Sequence, residues 1–339
     1  MAGVDLNVYT FDYDLTFAAL LMNGDGTIYH RFGTRDHSSA SSRLSMTALV
    51  RLMQETLEDH RAYQESPRPP PPRPRRIIEE IPTMARKLKK EKVKCFHCHM
   101  VHDAERELAR EEKRWSREET LSLWPLPEKA GFIAERDDPS LLREVAPGSA
   151  AAEAGLQAGD RLVRVGEERV RSQADVQWAL HQAPPGDATV PVVSLRAGET
   201  KRAALRLAKG WKIPSDAEFS WRASMWSLRP MPGFGGRTLK DEDLRTAGLE
   251  PETFALRVDY LVDWGEDAAT GQSARKAGLK KGDLVLSIDG KKDFHSELHF
   301  QSWFRFTRKA GSLASLEVLR PAVSATETKR LRIDLPVLP

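Results

Sequence analysis

Two cysteines and three histidines crowd one short stretch, Cys95-Phe96-His97-Cys98-His99, with Met100 and His102 just beyond. These are the chain's only 2 cysteines and three of its 9 histidines, and a thiol pair at this spacing suits a redox or cofactor site better than a disulfide framework. Three chemistries fit. Cys95 and Cys98 could form thioethers to a covalent haem c, with His99 as axial ligand and His102 or Met84 as the sixth. The two thiolates with His97, His99 or His102 could complete a four-ligand zinc or copper site. Alternatively the pair is a thiol–disulfide couple, activated by neighbouring lysines and histidines. The residues and their spacing leave all three open. The stretch just before them, from Arg86 to Lys94, is strongly basic, which reads as a solvated helix face or as a surface for haem propionates or an acidic redox partner. It carries no interleaved aromatics, so it does not read as a single-strand binder.

These residues need elements to hold them. Helices are expected on both sides of the cysteines, over 82–120. Upstream, 1–60 reads as an α/β segment: an apolar run from Leu15 to Met22 of the kind buried on both faces, a turn at Asn23-Gly24-Asp25-Gly26, a returning strand over 27–32, and a helix that Ser45 could cap. One hairpin and one helix cannot cover both faces of a strand, so this module reads as part of something larger. Between them, 61–81 includes Pro67-Arg68-Pro69-Pro70-Pro71-Pro72-Arg73-Pro74, an extended Pro/Arg-rich linker, because proline fixes φ and lacks the backbone donor.

From about residue 121 the chain repeats itself. Ala154-Gly155-Leu156-Gln157-Ala158-Gly159-Asp160 returns as Ala277-Gly278-Leu279-Lys280-Lys281-Gly282-Asp283, with Gly155 and Gly278 123 positions apart. In each copy an alternating strand, an amphipathic helix and a β-branched strand follow. The physics is local: a short helix ends on a glycine, leucine enters the core, and Gly-Asp turns the chain into a strand.

The repeat resembles the PDZ domain in the strand order of bacterial envelope proteins. That resemblance implies two partly open β-barrels capped by helices, over 121–211 and 212–339, each able to take a peptide or protein C-terminus as an added strand. In the first copy it assigns peptide binding to Lys129, Ala130, Gly131, Phe132 and Ile133 in the loop and to Asp175, Val176, Ala179 and Leu180 on the groove helix. In the second copy the corresponding loop would be 252–256. The bland alternative is that the repeats only pack against other parts of the chain. Taken with Phe11-Asp12-Tyr13-Asp14-Leu15-Thr16-Phe17, the turn at 23–26 and the cysteine motif, the chain is similar to a bacterial thioredoxin-like/PDZ-domain family that includes selenoproteins. The resemblance makes 1–60 the C-terminal part of a thioredoxin-like domain, with the redox half upstream of Met1, and implies a periplasmic or otherwise extracytoplasmic full-length form. The expected fold class is therefore α+β: two PDZ-like barrels, preceded by the partial thioredoxin-like segment and a helical Cys-x-x-Cys-His segment.

With 40% hydrophobic residues the chain can build real cores, and 52 Lys+Arg against 49 Asp+Glu (+3) makes no case for nucleic acid. No apolar run approaches the ~20 residues of a membrane span, and Met1-Ala2-Gly3-Val4-Asp5 does not open a signal peptide. No Gly-x-Ser-Gly-like nucleophile turn and no coherent Ser/His/Asp set occur, so no residue is assigned a catalytic role. The sequence thus reads as a non-protease envelope protein that binds partners through tandem PDZ domains, with a redox or cofactor site at 95–99. The alternatives are a thiol- or selenol-disulfide oxidoreductase that recruits clients through its PDZ domains, and a covalent-haem electron-transfer protein.

Overall fold

A computed structural model describes residues 1–90, 95–321 and 328–339; part of the basic run, 91–94, lies outside the described residues. The chain divides into two compact units, Met1–Pro214 and Ser215–Pro339.

The first unit begins with an antiparallel hairpin of β1 (Ala19–Met22) and β2 (Ile28–Phe32), followed by α1 (Met46–Glu65), whose N-terminus is capped by the Ser45 side chain. The apolar run from Leu15 yields a strand only from Ala19, and every residue of that strand is half-buried rather than enclosed. The reason is coverage: Phe32, Ala48 and Leu52 make a small core on one side. On the other, Val50, Met53 and Leu57 stay about half exposed, and with Leu20 and Met22 they line a trough of about 710 Å³. The helix also runs past the expected end at 60. Ile78 and Ile81, at the end of the expected linker, are buried with Leu6, Met84, Val101 and Ala104 beneath α2 (Pro82–Lys90) and α3 (Met100–Glu111). Arg86 and Lys87 of the basic run pair with Glu111 and Glu107 of α3, so acidic residues of the same unit already answer this charge. A short α4 (Arg117–Leu121) follows.

The first repeat then runs through a 3₁₀ turn (Pro127–Ala130), β3 (Phe132–Ala134), β4 (Leu142–Val145), α5 (Ala150–Glu153), β5 (Arg161–Val165), β6 (Glu168–Arg169), α6 (Gln173–Gln182), β7 (Ala188–Arg196) and β8 (Glu199–Leu207). Its sheets are antiparallel, β3-β4 and β6-β5-β7-β8, and enclose Phe132, Leu142, Leu162, Val176, Leu180 and Leu205. At about 1.5–3 kcal/mol for each large apolar side chain removed from water, this cluster is what the repeat folds around.

The second unit holds α7 (Asp216–Phe219), β9 (Phe234–Thr238), α8 (Asp241–Thr246), β10 (Leu256–Leu261), α9 (Ala268–Lys276), β11 (Leu284–Ile288), α10 (Glu297–Thr307), β12 (Leu313–Arg320) and β13 (Lys329–Pro336). Its strands form one sheet, β13-β12-β11-β10-β9. The strand equivalent to β3 is β9, not the segment at 252–256. Gly233 takes φ +77° where Gly131 takes +93°, and Val262 N–H donates to Gly233 O as Ala146 N–H donates to Gly131 O. The 239–255 connection, with α8 inside it, had hidden the match.

An ion pair that local sequence does not reveal braces the repeated string in both copies. Asp160 accepts from Gln157 N–H and receives Arg196 through two bonds (2.6 and 2.8 Å), while Arg196 also donates to Gly155 O. Asp283, Lys280, Arg320 and Gly278 repeat the arrangement, with Arg320 at 2.6 and 2.7 Å from Asp283. Both carboxylates are buried, and forked arginine contacts are among the stronger charged hydrogen bonds.

Candidate functional site

The turn before β3 brings Lys129, Ala130 and Gly131 to the head of the strand. Only glycine serves at 131: φ is +93°, and an added Cβ would lie 2.0 Å from Ser149 Cβ. Ala130 and Phe132 point into the core, as do Val176, Ala179 and Leu180 of α6. Lys129 Nζ donates to Ile213 O at 3.0 Å. Ile133 is the loop residue left half-buried, and one edge of β3 pairs with β4. Among the described residues no strand pairs with the other edge. Ile133 and Ala134 line a cavity of about 310 Å³ together with Gln173 of α6, Arg143 of β4 and Arg43, the last paired with Asp36 and Glu128.

Asp175 has a different task from the one expected of it. Its carboxylate closes the capping box of α6 with Ser172, accepts Arg31 N–H at 2.9 Å and takes His30 Nδ1 at 2.9 Å. His30 Nε2 reaches Asp59 Oδ2 at 2.9 Å, so a fully enclosed imidazole bridges two carboxylates. Burial works against its charge, yet the Asp175 and Asp59 carboxylates outweigh burial and raise its pKa to about 9. Arg31 lies over the Trp178 ring (4.1 Å), and Gln177 is held between Thr34 Oγ1 and Trp124 O. The face of α6 beside the groove is thus partly covered by the chain's own residues.

The cysteine motif forms the lead-in to α3. Cys95 is exposed, Cys98 half-buried, and both are free thiols. His97 and His99 stack at 5.9 Å, and His99 Nδ1 meets Asp103 Oδ2 at 3.0 Å, leaving Nε2 as its other ligand atom. His102 does not join them. It is buried beside Asp12 and Asp14, and among the described residues these three, with no cysteine, are the ones whose ligand atoms all lie within 4.8 Å of one another. The five-residue metal set Cys95, Cys98, His97, His99 and His102 is therefore not assembled. One turn of α3 carries His102 away from a loop that stays at the surface.

The decisive comparison is with protein families: residues 142–193 match the PDZ domain model. The first repeat is a PDZ domain. The match starts with β4 and ends within β7, so it includes the groove helix of the PDZ domain but not the 129–133 loop. The chain is also 25% identical over 150 residues to the periplasmic pH-dependent serine endoprotease DegQ of Escherichia coli strain K12, covering 44% of this chain and 28% of that protein. The chain thus spans well under a third of this curated relative. Among solved structures, the serine endoprotease from Yersinia pestis is 26% identical, covering 20% of this chain and 25% of that one, with a TM-score of 0.19. An aminopeptidase N family protein from Idiomarina loihiensis is 24% identical, covering 28% and 17%, with a TM-score of 0.20.

The likeness to DegQ overturns the expectation of a non-protease: the curated relative that this chain matches over 150 residues is a serine endoprotease. A search for a nucleophile turn tests catalytic machinery alone and is blind to relationship carried elsewhere. Sequence reasoning also missed Gly233, which stands before β9 of the second repeat as Gly131 stands before β3. The pair Gly233-Phe234, which matches Gly131-Phe132, was the available signal.

Proposed function

We propose that this protease-like PDZ protein receives the carboxyl end of a polypeptide along β3, as an added antiparallel strand between β3 and α6. What carries the reading is the β3 edge, unpaired among the described residues, beside a cavity that Ile133 and Ala134 of β3 line together with Gln173 of α6. No helix among the described residues is long and apolar enough to cross a membrane. The periplasmic address of DegQ supports an extracytoplasmic location. The finer resemblance of 1–60 to a thioredoxin-like segment belongs to the same proposal, supported by the order of hairpin and long helix.

A fluorescent peptide library tests the reading with the full chain. Free C-termini with apolar last residues should bind, amidation should weaken them at least about tenfold, and Gln173→Trp should fill the cavity and abolish binding. Equal binding of amidated peptides, or no binding by any peptide, would overturn it.

A further inference from the structure

The loop from Phe11 to Leu15 and the helix α3 meet around three buried groups that no peptide site uses. Asp12, Asp14 and His102 are 2%, 5% and 4% exposed. His102 Nε2 stands 3.9 Å from Asp12 Oδ1 and 3.9 Å from Asp14 Oδ2, too far for a hydrogen bond to either. Neither ring nitrogen of His102 has a hydrogen-bond partner. A buried imidazole with both nitrogens unsatisfied costs about 1–3 kcal/mol per group, so its position asks for a ligand.

We propose that Asp12, Asp14 and His102 bind a divalent first-row transition-metal ion such as zinc, through one oxygen of each carboxylate and Nε2 of the imidazole. Distance supports this: atoms each about 2.0–2.2 Å from one ion can be no more than about 4.4 Å apart, and 3.9 Å is within that reach. The donors select the ion class: an imidazole with only three protein ligands suits zinc, iron or manganese, whereas calcium and magnesium call for six or more oxygens. The carboxylates are held in place, Asp12 Oδ1 by Asp14 N–H, and both by further contacts within the protein. Three protein ligands leave a coordination position for water, and His102 borders a cavity of about 210 Å³ together with Arg76, Glu105 and Arg106. The ion would lock the 11–15 loop onto α3. This proposal is independent of peptide binding, and either can fail without the other.

The test uses the full chain stripped with a chelator and titrated with zinc, then with cobalt as a spectroscopic probe. About one equivalent should bind, with a shell of oxygen and nitrogen only in X-ray absorption. Cys95→Ser with Cys98→Ser should leave affinity unchanged and show no sulfur-to-cobalt charge-transfer band in either protein. Asp12→Asn, Asp14→Asn and His102→Gln should each weaken binding by at least about 100-fold. A sulfur ligand, affinity lost with the cysteines, undiminished binding by His102→Gln, or no binding by the folded wild type each overturns the proposal. The last result would mean that His102 holds buried water. Where a ligand variant does not fold, the absorption spectrum of the unmutated protein decides.

Discussion

In the first repeat the edge strand β3 faces a cavity; in the second, the groove helix reaches over and takes the edge for itself. Gln301 of α10 donates to Phe234 O at 2.8 Å, and Glu297 accepts the N–H of Gly236, so backbone groups of β9 that would meet an added strand are already satisfied. Gly235 permits this closeness: an added Cβ there would lie 3.0 Å from Glu297 Oε1. The helices are anchored differently as well. His30 ties α6 to β2 as a buried imidazolium, whereas His299, in the first turn of α10, meets Asp216 at 2.9 Å. For His299, burial outweighs Asp216 and lowers its pKa. Two modules with one chain path can therefore differ in whether the groove is open and in the sign of their response to pH.

The largest effects should come from the glycines that both repeats share. Gly131→Val and Gly233→Val each combine positive φ with overlap, the first against the Ser149 side chain, the second against backbone at Thr270 O (2.3 Å). Each should cost about 4 kcal/mol or more in its own unit, read by denaturant unfolding with probes in each unit. A mild loss at Gly233 would break the equivalence of β3 and β9.

Next come the histidines. His30→Ala leaves buried Asp175 without its cation and should cost the first unit about 3 kcal/mol. The raised pKa makes the His30 contribution complete below its ordinary value of 6.5 and lost as pH climbs through about 9. The lowered pKa of His299 has the opposite sense: its contribution is complete above 6.5 and is lost on acidification through the lowered folded value. Unit-resolved hydrogen exchange between pH 5 and pH 10 should thus show opposite slopes, absent in His30→Ala and His299→Ala respectively. Parallel slopes would remove this contrast.

The last variant sharpens the comparison most. Glu297→Ala with Gln301→Ala takes from the buried Arg305 its Gln301 Oε1 acceptor and the neighbouring carboxylate, so it should cost the second unit about 3 kcal/mol, yet free the edge of β9 and create a second peptide site. Titration of the double variant with a peptide that binds the first repeat would show a second equivalent; one equivalent means that these side chains do not keep the edge closed.

Much of the fold was readable locally. The string ending in Gly159-Asp160 and its copy ending in Gly282-Asp283 announced two modules, because a helix end, a core leucine and a turn are all specified within a few residues. The register of the second front was not readable: the 239–255 connection shifted Gly233 to only 102 positions beyond Gly131, and an argument from constant spacing selected 252–256 instead. At the cysteine motif, proximity in sequence misled. Cys95, His97, His99 and His102 look like one ligand set on paper, but α3 begins at Met100 and its helical turn sends His102 inward while Cys95 stays at the surface.

The sequence by itself determined the tandem modules, the charged helical pair and the thiols with their nearby histidines, since turns, caps and periodicity act over a few residues. Only the tertiary structure decided that Asp175 serves His30, that Asp160 and Asp283 wait for arginines at 196 and 320, that β9 is closed by its own helix, and that His102 answers to Asp12 and Asp14. Each of these is a meeting of polar groups far apart in the chain, and what brings them together is the packing of apolar surfaces, which carries no mark at the polar residues themselves.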